Sequence, residues 1–313
     1  MNDLVTGTYG DGDAAAVADL INAVEAHAGG HANATASRVT EFMSQLVRDP
    51  ARDTRLVLTG DGELAAVVMV TAPSPDATVI RLGGGVHPRW RSRGLGRELL
   101  RWQLDRAREI HRSVAPDAVW EVHAGAMVAD EQTTRLFERF GMSPVRYWFD
   151  MVAPTAGVPA VALPDGLRLV GYTAEHEIAL HGAHMDAFAD HWGFEHRPLE
   201  SWAVLTVRSE RFAPELSLLA FDGDEIAGYL LGYRDADPQR LYIGQVGVRK
   251  PWRRRGLAAA LLTEALTAAA DAGRTHAALG VDAASSTGAV GVYERAGFTV
   301  ESRAVTYSLA LLS

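Results

Sequence analysis

The chain has 313 residues, none of which is cysteine, and it has a single lysine, Lys250. Without cysteine, the protein has no disulfide, no thiolate metal ligand and no covalent intermediate on a cysteine sulfur. Acidic residues number 39 against 30 Lys and Arg, so the net charge is −9. Because the phosphates of nucleic acid favour basic surfaces, this charge argues against a nucleic-acid partner.

Long apolar runs are also missing from the sequence. No stretch approaches the roughly 20 residues that a membrane-spanning helix needs. The amino-terminal segment 1–5 lacks the basic start and apolar centre of a secretory signal. We therefore expect a cytoplasmic protein without a membrane partner, and the length predicts about two domains. The sequence carries no signal for an oligomeric state.

An arginine–glycine motif, by contrast, occurs twice. One copy reads Val86-His-Pro-Arg-Trp-Arg91-Ser-Arg-Gly94-Leu-Gly96, and the other reads Val248-Arg-Lys-Pro-Trp-Arg253-Arg-Arg-Gly256-Leu-Ala258. The two copies stand 162 residues apart at every position. Each follows a β-rich segment and precedes an apolar helical pattern, so the sequence predicts one fold that is present twice.

The repeat extends on both sides of the motif. Upstream, each half has two apolar segments around a Gly/Asp turn, which is typical of a hairpin, and then a third strand. Downstream, each half has a helix, a strand and a shorter helix. This order predicts an α/β protein of two tandem domains, each with a mixed, mainly antiparallel sheet and flanking helices. Residues 154–165 are rich in proline and alanine, so we place a linker there between domains 1–153 and 166–313.

The repeated motif has the features of an anion-binding loop. The first amides of a helix have no intrahelical partner, and the helix dipole adds positive potential there. Glycine lets an anion approach the backbone, and flanking arginines add charge and donors. A Walker loop would need Gly-Lys-Ser/Thr, and a dinucleotide fingerprint would need glycine where Leu99 and Leu261 stand.

The succession of hairpin, strand, Arg-x-x-Gly-x-Gly/Ala loop, helix, strand and second helix resembles the GNAT superfamily of acyl-CoA transferases. The resemblance covers nearly the whole chain and holds in both halves. It implies acetyl-CoA as the cofactor, with the loop on the coenzyme A pyrophosphate and the preceding strand along the pantetheine arm. In the second half the implied residues are Val246, Gly247, Val248, Arg253, Arg254, Arg255, Gly256, Leu257 and Ala258. In the first half they are Val86, Arg91, Arg93, Gly94, Leu95 and Gly96.

A tyrosine on the last helix often protonates the leaving thiolate in this superfamily, and Tyr293 stands at that position. The first half has Phe137 instead, which has no proton to give. We therefore expect the second domain to be catalytic and the first to be degenerate. The alternative for Tyr293 is a packed helix residue whose hydroxyl finds any partner.

The general base and the acceptor site are less clearly marked. Related enzymes often carry a carboxylate on the strand before the loop, but residues 240–248 contain no Asp or Glu. The candidates lie on that strand, where a water relay would serve, or after the domain's first helical region: Tyr242, Gln245, Asp190, His191 and Trp192. The alternative for the second group is a helix end whose aromatic rings lie in the core. The histidines at 176–184 lack zinc-protease spacing, so no metal is expected.

These patterns predict an acetyl-CoA-dependent N-acetyltransferase that acts on a small-molecule primary amine. Direct transfer is expected because no cysteine is present to carry the acyl group. Chains with two such domains resemble the mycothiol synthase family, which acetylates a cysteinyl-glucosaminyl-inositol amine, and this is the alternative within the class. A non-catalytic acyl-CoA-binding or sensing protein is the alternative from another class. The sequence alone does not identify the acceptor.

Overall fold

The computed structural model describes residues 4–71, 78–285 and 288–311. Its strands are β1 Val5–Gly7, β2 Thr54–Leu58, β3 Leu64–Thr71, β4 Val79–Val86, β5 Trp120–Met127, β6 Ser143–Pro154, β7 Leu167–Gly171, β8 Leu218–Asp222, β9 Glu225–Arg234, β10 Arg240–Val248, β11 His276–Asp282 and β12 Thr299–Leu311. Its helices are α1 Ala14–Ala28, α2 Ala36–Leu46, α3 Pro50–Asp53, α4 Leu95–Val114, α5 Glu131–Arg139, α6 Glu177–Phe188, α7 Leu199–Leu205, α8 Leu257–Asp271 and α9 Ala289–Arg295.

The chain divides into two compact units. The first unit is Met1–Tyr147 with Ser302–Ser313, and the second is Trp148–Glu301. Strands of the first unit lie in the order β1, β2, β3, β4, β5 and β12, and those of the second in the order β7, β8, β9, β10, β11 and β6. Among the described strands, one neighbouring pair of each unit is parallel, β4 with β5 in the first and β10 with β11 in the second, and the other pairs are antiparallel. The predicted mixed, mainly antiparallel sheets are therefore confirmed.

Each compact unit takes one strand segment from the other half of the chain. Residues 304–311 of β12 pair with β5 in the first unit, and residues 148–154 of β6 pair with β11 in the second. The sequence boundaries at 153 and 166 follow the repeat along the chain and miss this exchange. Of residues 154–165, proposed as a linker, Pro154 is the last residue of β6 and the rest contain no helix or strand. Val158 and Leu163 of this segment pack against the core of the second unit.

The helix after each loop provides the main apolar face of its unit. In α8 the buried side chains recur at helical spacing, and they are Leu257, Leu261, Leu262, Ala265 and Leu266. They pack with Leu230 and Leu241 of the sheet in one cluster. The helix α4 buries Leu100 and Leu104 against β4 and β5 in the same way. The strands β4 and β10, which precede these helices, also contribute to the core of their unit. Because strand and helix are both anchored there, the arginine–glycine loop that joins them is held in a fixed position. Among the residues described, no helix combines the length and apolar character that crossing a membrane requires.

Candidate active site

The two arginine–glycine loops have the same backbone conformation. Gly256 has φ +86° and Arg254 φ +60° in the second unit, while Gly94 has φ +91° and Ser92 φ +62° in the first. Ser92 and Arg254 are the two non-glycine residues with positive φ in the described part of the chain. Such a φ is costly for a residue with a Cβ, so its occurrence at both repeats points to a functional constraint on the loop.

Free backbone donors lie at the start of α8, the helix that follows the second arginine–glycine loop. The amides of Gly256, Leu257 and Ala258 make no hydrogen bond to another described residue, as expected for the first turn of a helix. A Cβ placed at Gly256 would meet no protein atom within 4 Å, so open space lies beside these amides. Arg254 and Arg255 are exposed next to them and form no ion pair with a described residue. This geometry suits a bound diphosphate.

The side chain of Arg253 is engaged within the protein. Its Nε donates to the carbonyl of Val248 at 3.0 Å, one Nη donates to Asp190 at 2.8 Å, and the other donates to the carbonyl of Ala187 at 2.8 Å. The guanidinium therefore ties the loop to the end of α6. Such contacts favour a positioning role for Arg253 over the phosphate contact that the sequence suggested.

Asp190 is the residue whose carboxylate accepts the hydrogen bonds of Arg253. Hydrogen bonding from Arg253 lowers the pKa of the Asp190 carboxyl to about 2, and Lys250 adds to the effect at 3.8 Å. A carboxylate with so low a pKa is a weak base. The structure thus favours a structural role for Asp190 over the general-base role considered from the sequence.

The sheet of the second unit opens beside the loop. The parallel pairing of β10 with β11 ends at Ile243 and Leu279, although both strands continue beyond these residues. The register of β10 against β9 also shifts between Ile243 and Gln245, which marks a β-bulge at this point. Residues 244–248 therefore present a strand edge that β11 does not cover. The predicted cofactor residues Val246, Gly247 and Val248 lie on this edge.

Tyr293 lies on α9 and, like Val246 and Val248 of β10, packs against the buried core cluster of the second unit. Its ring meets Phe298 edge-on, with centroids 6.0 Å apart. The hydroxyl makes no hydrogen bond to a described residue. Burial raises the pKa of Tyr293 to about 12, so the phenol is protonated at neutral pH. It meets the protonation requirement for a general acid.

Gln245 and Tyr242 are the other candidates on β10. The Oε1 atom of Gln245 is buried and has no hydrogen-bond partner in the described structure. A buried acceptor without a donor costs about 1–3 kcal/mol, so an oxygen in this state points to a missing ligand or water. Tyr242 packs beneath Arg211, whose guanidinium carbon is 5.4 Å from the ring centre.

A pocket of about 190 Å³ lies at the end of α6. Its lining includes the predicted residues His191 and Trp192, together with Phe188, Phe194 and two residues that the sequence did not suggest, His184 and Trp202. Trp192 also packs on Trp148 of β6, with ring centroids 5.9 Å apart. The aromatic residues near 190 thus form a pocket wall.

The pocket is connected to the open strand by two side chains. The Nδ1 atom of His184 is 2.6 Å from the hydroxyl of Tyr229. The ring of Tyr229 lies directly over Gly247, where any Cβ would come within 2.4 Å of it. Glycine at 247 is therefore required by close packing. His184 of the pocket lining therefore contacts Tyr229, whose ring in turn contacts Gly247 of β10.

No cluster of three or more His, Asp or Glu suited to a metal is found in the described ranges. His181 instead bonds to the carbonyl of Arg197 at 2.8 Å.

Residues 24–142 and 178–298 both match the acetyltransferase (GNAT) family. These two segments cover most of the chain, and the chain belongs to this family. The resemblance noted in the sequence, including its two tandem domains, is confirmed.

The chain is similar in sequence and in structure to several known acetyltransferases. The chain is 31% identical over 264 residues to a mycothiol acetyltransferase of Thermobispora bispora, covering 78% of this chain and 80% of the relative. It is 30% identical to a mycothiol acetyltransferase of Salinispora tropica, covering 97% of this chain and all of the relative. Among solved structures it is similar to a GCN5-related N-acetyltransferase from Sphaerobacter thermophilus, with a TM-score of 0.81, 31% identity and coverage of 99% and 96%. A tandem GNAT protein from the clavulanic acid biosynthesis pathway shares the fold, with a TM-score of 0.72, 17% identity and coverage of 98% of each chain.

The protein is therefore an acyltransferase that uses acetyl-CoA. This supports the enzyme hypothesis over that of a non-catalytic acyl-CoA-binding or sensing protein.

Proposed function

We propose that the second unit transfers the acetyl group of acetyl-CoA directly to a primary amine of a small molecule, and that the first unit is not catalytic. The observation that carries the proposal is the open edge of β10 beside a protonated, unbonded tyrosine. A strand edge offers backbone donors and acceptors at regular spacing, to which the amides of an extended pantetheine arm are complementary.

The loop would hold the pyrophosphate of the cofactor. The amides of Gly256, Leu257 and Ala258 supply donors, and the exposed Arg254 and Arg255 supply charge. The same conformation in the first unit, around Gly94, supports a second coenzyme A site there. Binding at the first site does not require catalysis at that site.

Tyr293 would act as the general acid. The amine nitrogen attacks the thioester carbon, the carbon–sulfur bond of the tetrahedral intermediate breaks, and the sulfur takes the proton of the Tyr293 hydroxyl. Solvent then returns a proton to the phenolate, and the ammonium proton of the attacking nitrogen leaves through water. General acid catalysis of this kind contributes about 10²- to 10⁴-fold to a rate.

Gln245 would position the amine. Its unpaired Oε1 accepts a hydrogen bond from the amine N–H, which satisfies the buried oxygen. An amide oxygen is too weak a base to remove the proton outright. The absence of Asp and Glu on residues 240–248 is consistent with deprotonation through water.

The specific alternative is mycothiol acetylation. It is favoured by the two relatives of that name, which share 31% and 30% identity with this chain. The direct comparison is an assay of coenzyme A release with deacetylated mycothiol beside a panel of simple primary amines. Turnover of deacetylated mycothiol far above every simple amine would establish the alternative.

The test of the general proposal uses the intact chain and labelled acetyl-CoA. Rapid quenching without an amine should give no acetylated protein by intact mass, whereas adding a substrate amine should release one coenzyme A per acetylated amine. A stoichiometric acetyl adduct that an amine then discharges would overturn direct transfer. Loss of catalysis on damaging the first loop alone would overturn the assignment to the second unit.

A further inference from the structure

The pocket at the end of α6 has hydrogen-bond donors that the protein does not use. Trp202 lies on α7, is 2% exposed and lines the pocket. Its indole N–H has no acceptor in the described structure. An indole nitrogen only donates, so the missing partner must be an acceptor. Leaving such a buried donor unpaired is unfavourable, and a ligand oxygen that accepts from it would remove that cost.

His184 supplies a second donor. The hydroxyl of Tyr229 is completely buried and has His184 as its hydrogen-bond partner in the described residues. For the hydroxyl proton to be satisfied, Tyr229 must donate to Nδ1 of His184. The neutral imidazole then carries its own hydrogen on Nε2. Nε2 has no protein partner in the described part of the chain, and His184 lines the pocket.

Several surroundings keep His184 neutral and in place. Burial, with the electrostatic effect of the neighbouring His181 and Arg197 as smaller causes, lowers the pKa of His184 to about 4. The ring stacks on Phe188 at 4.7 Å between centroids and lies 5.6 Å from the ring of Trp202. The imidazole and indole donors are therefore close neighbours on one aromatic wall.

The charged groups of the pocket are Arg197 and Glu195. Their side chains are 3.9 Å apart, and that of Glu195 is the less exposed. His181 binds the carbonyl of Arg197 and so fixes the segment that carries this guanidinium. Beside His184 and Trp202, Arg197 adds a third set of donors.

We infer that this pocket binds the carboxylate of the acceptor, so that the acceptor is an amine that also carries a carboxylate group. A carboxylate accepts several hydrogen bonds and donates none, which matches the donors of Trp202, His184 and Arg197. The carboxylate of Glu195 in the same pocket lies 3.9 Å from the guanidinium of Arg197, which offsets its charge. The two N–H donors repel an ammonium or amine donor, so the amine points away from them and toward β10. This inference rests on the proposed function, because it concerns the acceptor of the same reaction.

The binding test does not depend on acetyl transfer. The indole N–H resonance of Trp202 is assigned in the full chain by its loss in Trp202→Phe, and the protein is titrated with sodium benzoate. We expect a downfield shift with benzoate and little change with benzyl alcohol, which has the same ring without the carboxylate. An unmoved resonance with benzoate, or equal shifts with both compounds, would overturn the inference. Benzoate binding without turnover of any amine would instead count against the proposed function.

The kinetic test compares amino acids with their decarboxylated amines, phenylalanine with 2-phenylethylamine and β-alanine with ethylamine. Trp202→Phe should raise KM for the carboxylated amine about 10- to 100-fold, the range for a lost hydrogen bond to a charged group. KM for the partner without a carboxylate should change less than about 3-fold, and kcat should change little.

Two controls separate recognition from packing. Trp120→Phe removes another buried tryptophan, in the first unit, and should leave both KM values unchanged. His184→Asn keeps an acceptor for Tyr229 and a donor for the pocket, so it should keep the preference that His184→Leu loses. Equal KM increases for both members of each amine pair in Trp202→Phe would show a packing role and overturn the inference. A preference for an amino alcohol over the matching amino acid would assign the donors to a hydroxyl and overturn it as well.

Discussion

The two units have the same loop but different surroundings on the side of the first helix. Gly85 and Gly247 are equivalent in the repeat, yet Gly85 is covered by Val24 and Gly247 by the ring of Tyr229. Asn22, at the position of His184, bonds to the backbone of Ala34. The first unit therefore fills with aliphatic packing the region where the second has a polar pocket.

The loop arginines Arg91 and Arg253 also differ between the two units, in the partners that they bind. Arg91 binds Asp130, which caps α5, at 3.0 Å, whereas Arg253 binds the end of α6. The strand pairing differs too, because β4 pairs with β3 without a register shift and β10 pairs with β9 through a bulge. A GNAT fold can thus keep its cofactor loop after the acceptor side has changed, since the loop depends on local backbone and the acceptor site on contacts between elements.

The largest expected effect comes from the tyrosine that the first unit lacks. Tyr293→Phe should lower kcat about 10²- to 10³-fold, because the thiolate loses its proton donor, with little change in acetyl-CoA affinity. The matched change Phe137→Tyr in the first unit should leave the rate as it is. Steady-state assays of coenzyme A release give both numbers, and full activity in Tyr293→Phe would remove the catalytic distinction between the units.

The second prediction tests what the units share. Gly256→Val and Gly94→Val should each abolish one of two coenzyme A sites seen by calorimetry, or weaken it about 10- to 100-fold. Either side chain would enter the open space beside the amides, and each backbone has a φ that costs valine about 1–2 kcal/mol.

Gly273→Val is the control for strain alone. Gly273 has φ +76° and open space around its Cβ position, but it follows the other end of α8. This variant should bind coenzyme A normally. If it weakens binding as much as Gly256→Val does, the effect of Gly256 is general destabilisation.

Fold and loops could be predicted from the sequence because their signals are local. The hairpins, the helix spacing of Leu257, Leu261 and Leu262, and the loop glycines are each visible within a few residues. A repeat at constant offset doubles the information, since every element is seen twice. The exchange of β6 and β12 leaves no such signal, because both segments have the pattern of an ordinary strand wherever they pair.

The acceptor side could be predicted only in part. The place of His191 and Trp192 after the first helical region suggests them as acceptor-site residues. The partners Arg253 and Asp190, however, lie 63 residues apart in sequence. The pairing of His184 with Tyr229 spans 45 residues. Sequence spacing does not encode such contacts. One signal was available, because Tyr229 replaces Val67 at the constant offset and His184 replaces Asn22. A polar side chain in place of an apolar one, as at Tyr229, marks where the two copies of a repeat differ in function.

The third prediction concerns pH and the stability of the second unit. Because the pKa of His184 falls from 6.5 to about 4 in the folded protein, the unfolded chain binds the proton more readily. The contribution of neutral His184 to the free energy of unfolding is therefore present above pH 6.5 and is lost as the pH falls toward 4. At pH 5 the loss should be about 2 kcal/mol, since one pKa unit corresponds to about 1.4 kcal/mol. Urea unfolding at pH 7.5 and pH 5 measures it, and His184→Asn should be less pH-dependent by that amount. An unchanged pH dependence in His184→Asn would show that the histidine is not the group involved.

The smallest expected effect tests the contacts of Arg253, which connect the second loop with the end of α6 beside the pocket. Arg253→Lys keeps the charge but loses the simultaneous contacts with Val248, Ala187 and Asp190. The pocket end of α6 should then move more freely, so KM for the acceptor should rise about 3- to 10-fold, in line with the modest energy of exposed ion pairs. Acetyl-CoA affinity should stay nearly constant, because the loop amides and Arg254 remain. Since the pKa of Asp190 is about 2, the effect should be the same from pH 6 to 9.

Arg91→Lys is the matched control variant. Asp130, the partner of Arg91, is not part of the pocket, so this variant should leave the acceptor KM unchanged. Equal effects of the two lysine variants on that KM would mean that the arginines serve the loops alone, and that the different partners of Arg91 and Arg253 do not separate the units in function.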